Sequence, residues 1–428
     1  MIGSDIRRLQ KEHPEYVERV GRNYRWNFIA LVLDSSIFAF SVAMLSQDTI
    51  IPYFIDQLTT KTWVIGLVPA IYYLGYFFPQ LVGAYIVNGK STRKWTMFKI
   101  ALAERVGILA IALIAQMLGY LSDSAAVVLF LLAYLVFSVT NGMIIPGYAD
   151  FISKNIIRNR GLFYGFVSGV GGIVGFAASL LARYLLDTYG FPVNIRILFW
   201  TGLAVSMASP LFIASLREIP YPVKRGEESL ADFIRAIPAH IRTNPKFLKF
   251  MITRAMLGLG VMGNSFYALY AIDRFSLKPG ALAIFTMIIL LSRSLVGFLW
   301  GWIGDRFGYH IVYVLISLMV IGMGGLALWA QTPWLFYVIA FCIGSIYGAF
   351  YIGDSNMVFE IAPASETSRF IGISNTFVSP VMVLAPLIGG SFVDLFSYPF
   401  LFEVILVIGV FSTMLSIFVM PRTRQEPG

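Results

Sequence analysis

One cysteine, Cys342, and three histidines, His13, His240 and His310, are all that this 428-residue chain offers in thiol and imidazole chemistry. A single thiol cannot build a disulfide framework, and Cys342 lies in an apolar run where it packs as a small hydrophobe. The histidines all fall in polar links, which excludes a histidine relay at membrane depth and a histidine-rich metal site. Charge is equally scarce, since Asp, Glu, Lys and Arg make up 13% of the residues and leave too little polar surface to wrap a soluble domain. No nucleophile–base pair or His/Asp set gathers at one place, so an enzyme is not expected. A non-transporting sensor would want a sizeable soluble domain, and no stretch has the composition for one. The polar first 25 residues carry mixed charges and Pro14 but no small-residue cleavage pattern, which fits a short surface helix better than a signal peptide.

Hydrophobic residues make up 58% of the chain and the mean hydropathy is +0.76. The chain therefore reads as an all-α integral membrane protein, with no β-barrel alternation competing. Twelve apolar runs can be taken in order. The first six cover about 26–54, 63–87, 95–118, 125–148, 161–186 and 195–215. The second six cover about 247–272, 281–303, 311–330, 335–361, 370–392 and 400–420. The domain plan is a segment 1–25, a six-helix bundle 26–215, a link 216–246, a second six-helix bundle 247–420 and a tail 421–428. Lys and Arg concentrate in the links that share a side with both termini, which predicts a multi-pass cell-membrane protein with both termini cytoplasmic. The net charge of +9 follows from that asymmetry. It needs no nucleic-acid partner, and the lipid bilayer is the expected surroundings. Within the link, Ser229 to Ile237 has a capping-box start and apolar residues at 230, 233, 234 and 237, which predicts a helix lying in the membrane interface.

The halves repeat one another. A shift of 207 residues superposes Ser138 on Ser345, Gly165 on Gly372, Asp187 on Asp394 and Pro192 on Pro399 without a gap. Asp-x-x-x-aromatic-Pro thus closes the fifth helix of each half. Between the eighth and ninth runs lies Gly301-Trp302-Ile303-Gly304-Asp305-Arg306-Phe307-Gly308-Tyr309-His310, read as a tight glycine-punctuated loop. Its Gly301, Asp305, Arg306 and Gly308 resemble the loop signature of the major facilitator superfamily, with Tyr309-His310 where two basic residues are usual. The resemblance implies two pseudo-symmetric six-helix bundles around a central cavity and alternating access. The matching stretch of the first half, Gly83 to Lys90, has Val87 or Asn88 where the signature has Asp, so a charge-based gate contact is not carried over there. Ser138 stands near where proton-coupled exporters of the superfamily carry an arginine, which argues against coupling by that route. The glycines of the fifth run, Gly165 to Gly175, resemble the antiporter motif without its proline.

Ionisable residues at membrane depth are costly unless they meet a wet cavity or a partner, so they are the candidates for function. Asp34 in helix 1 and Arg254 in helix 7 occupy matching places of the repeat and are expected to face the cavity, pairing in the inward-closed state and separating, or binding substrate and proton, when it opens. Arg293 sits near mid-depth of helix 8 with no acid within one turn, and is expected to meet an acid of another helix or an anionic substrate group. Asp354 follows Tyr347, Phe350 and Tyr351 on one face of helix 10, a setting suited to reversible protonation. Tyr72, Tyr76, Asn264, Tyr267, Tyr347 and Tyr351 are cavity-lining candidates. Glu104 and Arg105 in helix 3 are expected to be structural. No metal and no cofactor beyond a proton or other ion gradient is implied. The resulting expectation is a secondary transporter of a small-molecule substrate, working as a monomer. It leans to proton-coupled export (efflux by antiport) of small amphiphilic compounds, with uptake of an organic anion held by Arg254 and Arg293 as the alternative.

Overall fold

The structure, a computed structural model, describes residues 13–87, 90–156, 158–221, 244–361 and 367–422. They form twelve helical units, four of them interrupted. α1 has arms Pro14–Met44 and Ile50–Asp56, α2 has arms Thr62–Phe77 and Gln80–Val87, and α3 is Lys94–Gln116. α4 is Asp123–Asn155, α5 is Arg160–Thr188, and α6 has arms Val193–Ser206 and Ser209–Ser215. α7 runs as Pro245–Leu259, a 3₁₀ turn Gly260–Gly263, and Asn264–Phe275. α8 is Ala281–Phe307, α9 Tyr309–Trp329, α10 Trp334–Ile361, α11 Thr367–Leu395 and α12 Tyr398–Phe418. Ten of the units are long and apolar enough to cross a membrane. The other two are α2, cut at Phe78-Pro79, and α3, which carries Lys99, Glu104 and Arg105. The interface helix expected over 229–237 lies outside the described residues.

The interruptions follow from local chemistry. Pro210 sits in the first turn of the second arm of α6, where its missing amide costs nothing but where the preceding arm must stop. α1 stops at Leu45 and restarts at Ile50 across Ser46-Gln47-Asp48-Thr49, four polar side chains in an otherwise apolar run. α7 breaks too, somewhat earlier along its length, where Gly258, Gly260 and Gly263 weaken the helix and the turn tightens to 3₁₀. Both first helices of the repeat are thus opened within their apolar runs.

Three boundaries differ from the sequence expectation, the simplest being the end of α4, which runs on to Asn155 and not to about 148. Helix 1 starts at Pro14 and not near 26, because the segment read as a separate surface helix continues the same helical period without a break. That extension is pinned: Asn27 Nδ2 donates to the Arg217 carbonyl at 3.1 Å while the Arg217 amide donates to Asn27 Oδ1 at 2.9 Å. Trp26 Nε1 donates to the Ser215 carbonyl at 2.9 Å. On the other side of the segment 215–221 the Glu218 carboxylate accepts the Arg93 and Lys94 amides at 2.8 Å, capping α3, and the Tyr221 amide reaches the Ser91 carbonyl at 3.0 Å. Helix 8 runs on to Phe307, so the glycine-rich signature is its last turns and not a loop. Only Gly308, at φ +91°, makes the turn into α9.

Within the first half α1 packs on α5 and α6, and α3 on α4; within the second, α8 packs on α10 and α9 on α12. The halves meet along α2 against α11 and α5 against α8. Helix pairs approach closely where glycines remove the side chain: a Cβ on Gly142 of α4 would lie 2.0 Å from the Gly75 carbonyl oxygen of α2. Gly142→Ala is therefore expected to lower stability by about 1–3 kcal/mol through overpacking. Gly322→Ala, whose Cβ would meet nothing within 4 Å, should cost nothing. Thermal unfolding of the detergent-purified protein checks this, and equal unfolding temperatures for the two variants would refute the close-packing account.

Candidate functional site

Asp34 is buried in the first half and satisfied there. Tyr148 Oη donates to its Oδ2 at 2.8 Å and Ser209 Oγ to its Oδ1 at 2.6 Å. Ser209 also accepts from Arg105 Nη2 at 2.9 Å, and Arg105 pairs with the neighbouring Glu104, which takes a further hydrogen bond from Asn141 at 2.8 Å. α1, α3, α4 and α6 are tied together by this chain of polar contacts. In this arrangement Asp34 and Arg254 do not pair across the halves. Matching places in a repeat lie at the same depth but belong to different bundles, and each finds partners in its own. The expectation that Glu104 and Arg105 are structural agrees with their burial and mutual pairing.

Arg254 instead pairs with Asp354, its Nη2 lying 2.5 Å from Oδ2. Its fork is completed by Ser374 Oγ at 2.7 Å and Asn375 Oδ1 at 3.1 Å, and Tyr313 donates its hydroxyl to the other oxygen of Asp354. A guanidinium and a carboxylate with this many partners are satisfied within their own half. The pair is nevertheless at a boundary, because Phe77 of α2 closes over it from the other half. A small cavity of about 60 Å³ remains there, lined also by Gly258, Phe350, Val378 and Met382.

The centre of the molecule is built around a residue that sequence reasoning missed. Asp48, buried in the break of α1, accepts from Tyr347 Oη of α10 at 3.0 Å. Tyr347 in turn accepts from Asn264 Nδ2 at the α7 break, 2.9 Å away, and lies 3.4 Å from Tyr73 Oη of α2. The opened ends of both first helices therefore meet through one tyrosine. Alongside, Thr49 and Thr286 share a hydrogen bond of 2.5 Å, and Ser265 Oγ donates to the Gln47 carbonyl at 3.4 Å. The side-chain carbonyl oxygens of Gln47 and Asn264 are buried with no hydrogen-bond partner. Two orphan acceptors beside a carboxylate are what a site looks like before a donor arrives. The readable signal for Asp48 was the polar run 46–49 inside an apolar helix.

Facing this cluster, the tyrosines of α2 stack down one side: Tyr72 on Tyr76 at 5.7 Å between centroids, and Tyr73 on Phe77 at 6.2 Å. Arg293 of α8 lies within electrostatic range of Asp48, Tyr72, Tyr73 and Tyr76. It is exposed, and no carboxylate among the described residues pairs with it. Tyr351 is likewise exposed and within range of Tyr76. Of the expected cavity residues, Tyr72, Tyr76, Asn264, Tyr347 and Tyr351 thus border the central region. Tyr267 does not: it is buried in the second half, stacked on Phe402 at 5.0 Å. The signature residues sit apart from this centre at the end of α8. There Asp305 accepts from Tyr309 Oη at 2.9 Å, Gly304 makes room for the Tyr309 ring, and Arg306 lies over Trp302 and Phe307 at 5.6 Å.

The sequence model of the Major Facilitator Superfamily matches residues 29–299 and 264–428. Among solved structures, a mutant form of the nucleoside transporter NupG superposes with a TM-score of 0.74 at 16% identity, covering 92% of this chain and 99% of that one. A D-xylose-proton symporter superposes at 0.69 and 16% identity, covering 94% and 99%. The peptide transporter POT follows at 0.66 and 13%, covering 92% and 93%. Likeness at such identities establishes the fold and leaves the solute open. With the family match running through both halves, the chain belongs to the Major Facilitator Superfamily and is a multi-pass secondary transporter of small solutes.

Proposed function

We propose that the solute is a small organic anion with a ring, bound at the centre between Arg293 and the Tyr72–Tyr76 stack, and that its passage is linked to a proton carried by Asp48. The observation that carries this reading is Arg293, a guanidinium at mid-depth that keeps its exposure and has no carboxylate partner among the described residues. An unpaired cation at that depth is too costly to retain for packing alone and is well matched to a carboxylate or phosphate. The orphan oxygens of Gln47 and Asn264 favour hydrogen-bond donors elsewhere on the same solute. Arg254 drops out of the anion site, since Asp354, Ser374 and Asn375 already occupy its donors.

Asp48 suits proton carriage better than Asp354. Its hydrogen bonds come from neutral donors, the Tyr347 hydroxyl and the Gln47 side chain, and no cation pairs with it, so taking up a proton removes a buried charge at little cost in lost contacts. Asp354 would have to abandon Arg254. The features behind the export reading, namely membrane carboxylates, central aromatics and glycines in α5, serve either direction of transport. Arg293 moves the balance from neutral amphiphiles to anions. The near end, where both termini emerge, is taken as cytoplasmic on the Lys/Arg asymmetry, and a single chain holds the whole central region, which makes the monomer the working unit.

Two measurements in proteoliposomes test this. With aromatic carboxylates and their neutral amides as paired probes, Arg293→Gln should raise KM for the carboxylates roughly ten- to hundredfold. It should leave the amides within about threefold, with Arg293→Lys intermediate. Equal effects on both probe classes would remove the anion reading. Asp48→Asn should abolish accumulation driven by a pH gradient while sparing solute exchange, and Asp34→Asn should spare both. Persistence of gradient-driven accumulation in Asp48→Asn with unchanged pH dependence would exclude Asp48 as the carrier.

A further inference from the structure

We propose that Asp187 and Asp394 are paired gate residues of the transport cycle: each caps a helix of the opposite half, and together they fasten the end of the molecule remote from the chain termini. The geometry is reciprocal. Asp394, in the last turn of α11, accepts the Thr62 amide on Oδ1 at 2.7 Å and the Trp63 amide on Oδ2 at 2.8 Å, the first two residues of α2. Asp187, in the last turn of α5, accepts the Gly280 amide at the start of α8 at 3.0 Å. The second helix of each half is thus capped by the fifth helix of the other.

Neither capped helix has a cap of its own. Lys61 and Gly280 stand at the capping positions of α2 and α8 and make no side-chain bond to the helix. By contrast α4, α7 and α12 are capped locally by Ser122, Asn244 and Ser397. The first amides of a helix must find acceptors, and a carboxylate there is favoured both by charge-assisted bonding and by the helix dipole. In α2 the Thr62 and Trp63 amides meet that need only while the halves are together at this end; in α8 the Ala281 and Leu282 amides find the Lys278 and Pro279 carbonyls, and the Gly280 amide alone depends on the other half. Separation leaves the amides to water and takes each carboxylate from its donors. The two contacts therefore stabilise the closed far end and no other arrangement. They also explain why Asp-x-x-x-aromatic-Pro ends both fifth helices: a two-fold arrangement makes one local motif serve both seams.

The seams are unequal. Along α2 and α11 backbone meets backbone: a Cβ on Gly390 would lie 2.6 Å from the Thr62 carbonyl oxygen, and one on Gly66 would lie 2.4 Å from that of Pro386. Along α5 and α8 the approach is looser, with Gly172 facing Ser294 at 3.8 Å and Gly175 facing Leu290 at 3.2 Å. Asp187 also shares its charge with Arg183 at 3.8 Å. Asp394 is accordingly the stronger fastening and Asp187 the weaker.

Spin-label distances in the full-length protein, with Cys342→Ala as background, test the proposal independently of which solute binds at Arg293. One label pair, Thr60→Cys with Leu395→Cys, spans the α2–α11 seam. The other, Tyr189→Cys with Lys278→Cys, spans α5–α8. Asp394→Ala and Asp187→Ala should each raise the fraction of separated far ends, roughly tenfold for Asp394 and about threefold for Asp187, and the double variant should exceed both. Gly280→Ala leaves both carboxylates in place, but its Cβ would lie 2.4 Å from the Asp187 carboxyl group and must displace it. Its backbone, at φ −59°, accepts alanine freely. It should reproduce the Asp187→Ala shift, and it decides the matter if an aspartate variant fails to fold. Wild-type distance distributions in folded Asp394→Ala, Asp187→Ala and Gly280→Ala protein would overturn the gate.

Discussion

A polar group inside a lipid-facing helical protein must find its partner within the protein, and where that partner sits decides what can move. Partners drawn from the same half make a rigid body, and partners drawn from the other half make a joint. The structure sorts its hydrogen bonds into these two kinds. Asp34, Arg105, Glu104 and Asn141 satisfy one another inside the first bundle, and Arg254, Asp354, Ser374 and Asn375 do so inside the second. Asp48 with Tyr347, and the two aspartates at the far end, bridge between them.

This division gives the charged residues different meanings. The buried networks at Asp34 and Arg254 cost much to break and are satisfied without a solute, so they behave as internal braces for bodies that rock. The central cluster is incomplete in a way the braces are not. It offers an unpaired guanidinium, two orphan amide oxygens and a carboxylate held only by the neutral donors of Tyr347 and Gln47, all bordering the plane where the bundles part. A solute that completes this set adds bonds to both halves at once, which couples its presence to their relative position.

Much of the architecture was legible in the residues. Apolar length, Lys and Arg placement and the 207-residue repeat point to two six-helix bundles, and the Gly301 to Gly308 signature points to the superfamily. Interruptions were harder to see. Apolar periodicity runs through the breaks of α1 and α7, and only the polar cluster 46–49 and the glycines around 260 mark them. Tyr347, Asn264 and Tyr72 were found because hydroxyl and amide groups in apolar helices stand out. Asp48 was passed over because it lies close to the far end of its run and resembles a loop residue. Asp34 and Arg254 stand at matching places, but a repeat reports equivalence and not proximity, and in this arrangement each is partnered inside its own half. Tyr267 shows the limit of composition: a ring in the same helix as Asn264, one turn on, turns into its own bundle and stacks on Phe402.

The segment from Ser215 to Tyr221 leaves the first bundle only after being gripped on two sides, by Trp26 and Asn27 of α1 and by the start of α3. What joins the bundles in sequence therefore has a root that travels with the first as part of it. The segment 216–221 is thus no pivot between the bundles: held at both flanks, it moves as one body with the helices it has just left.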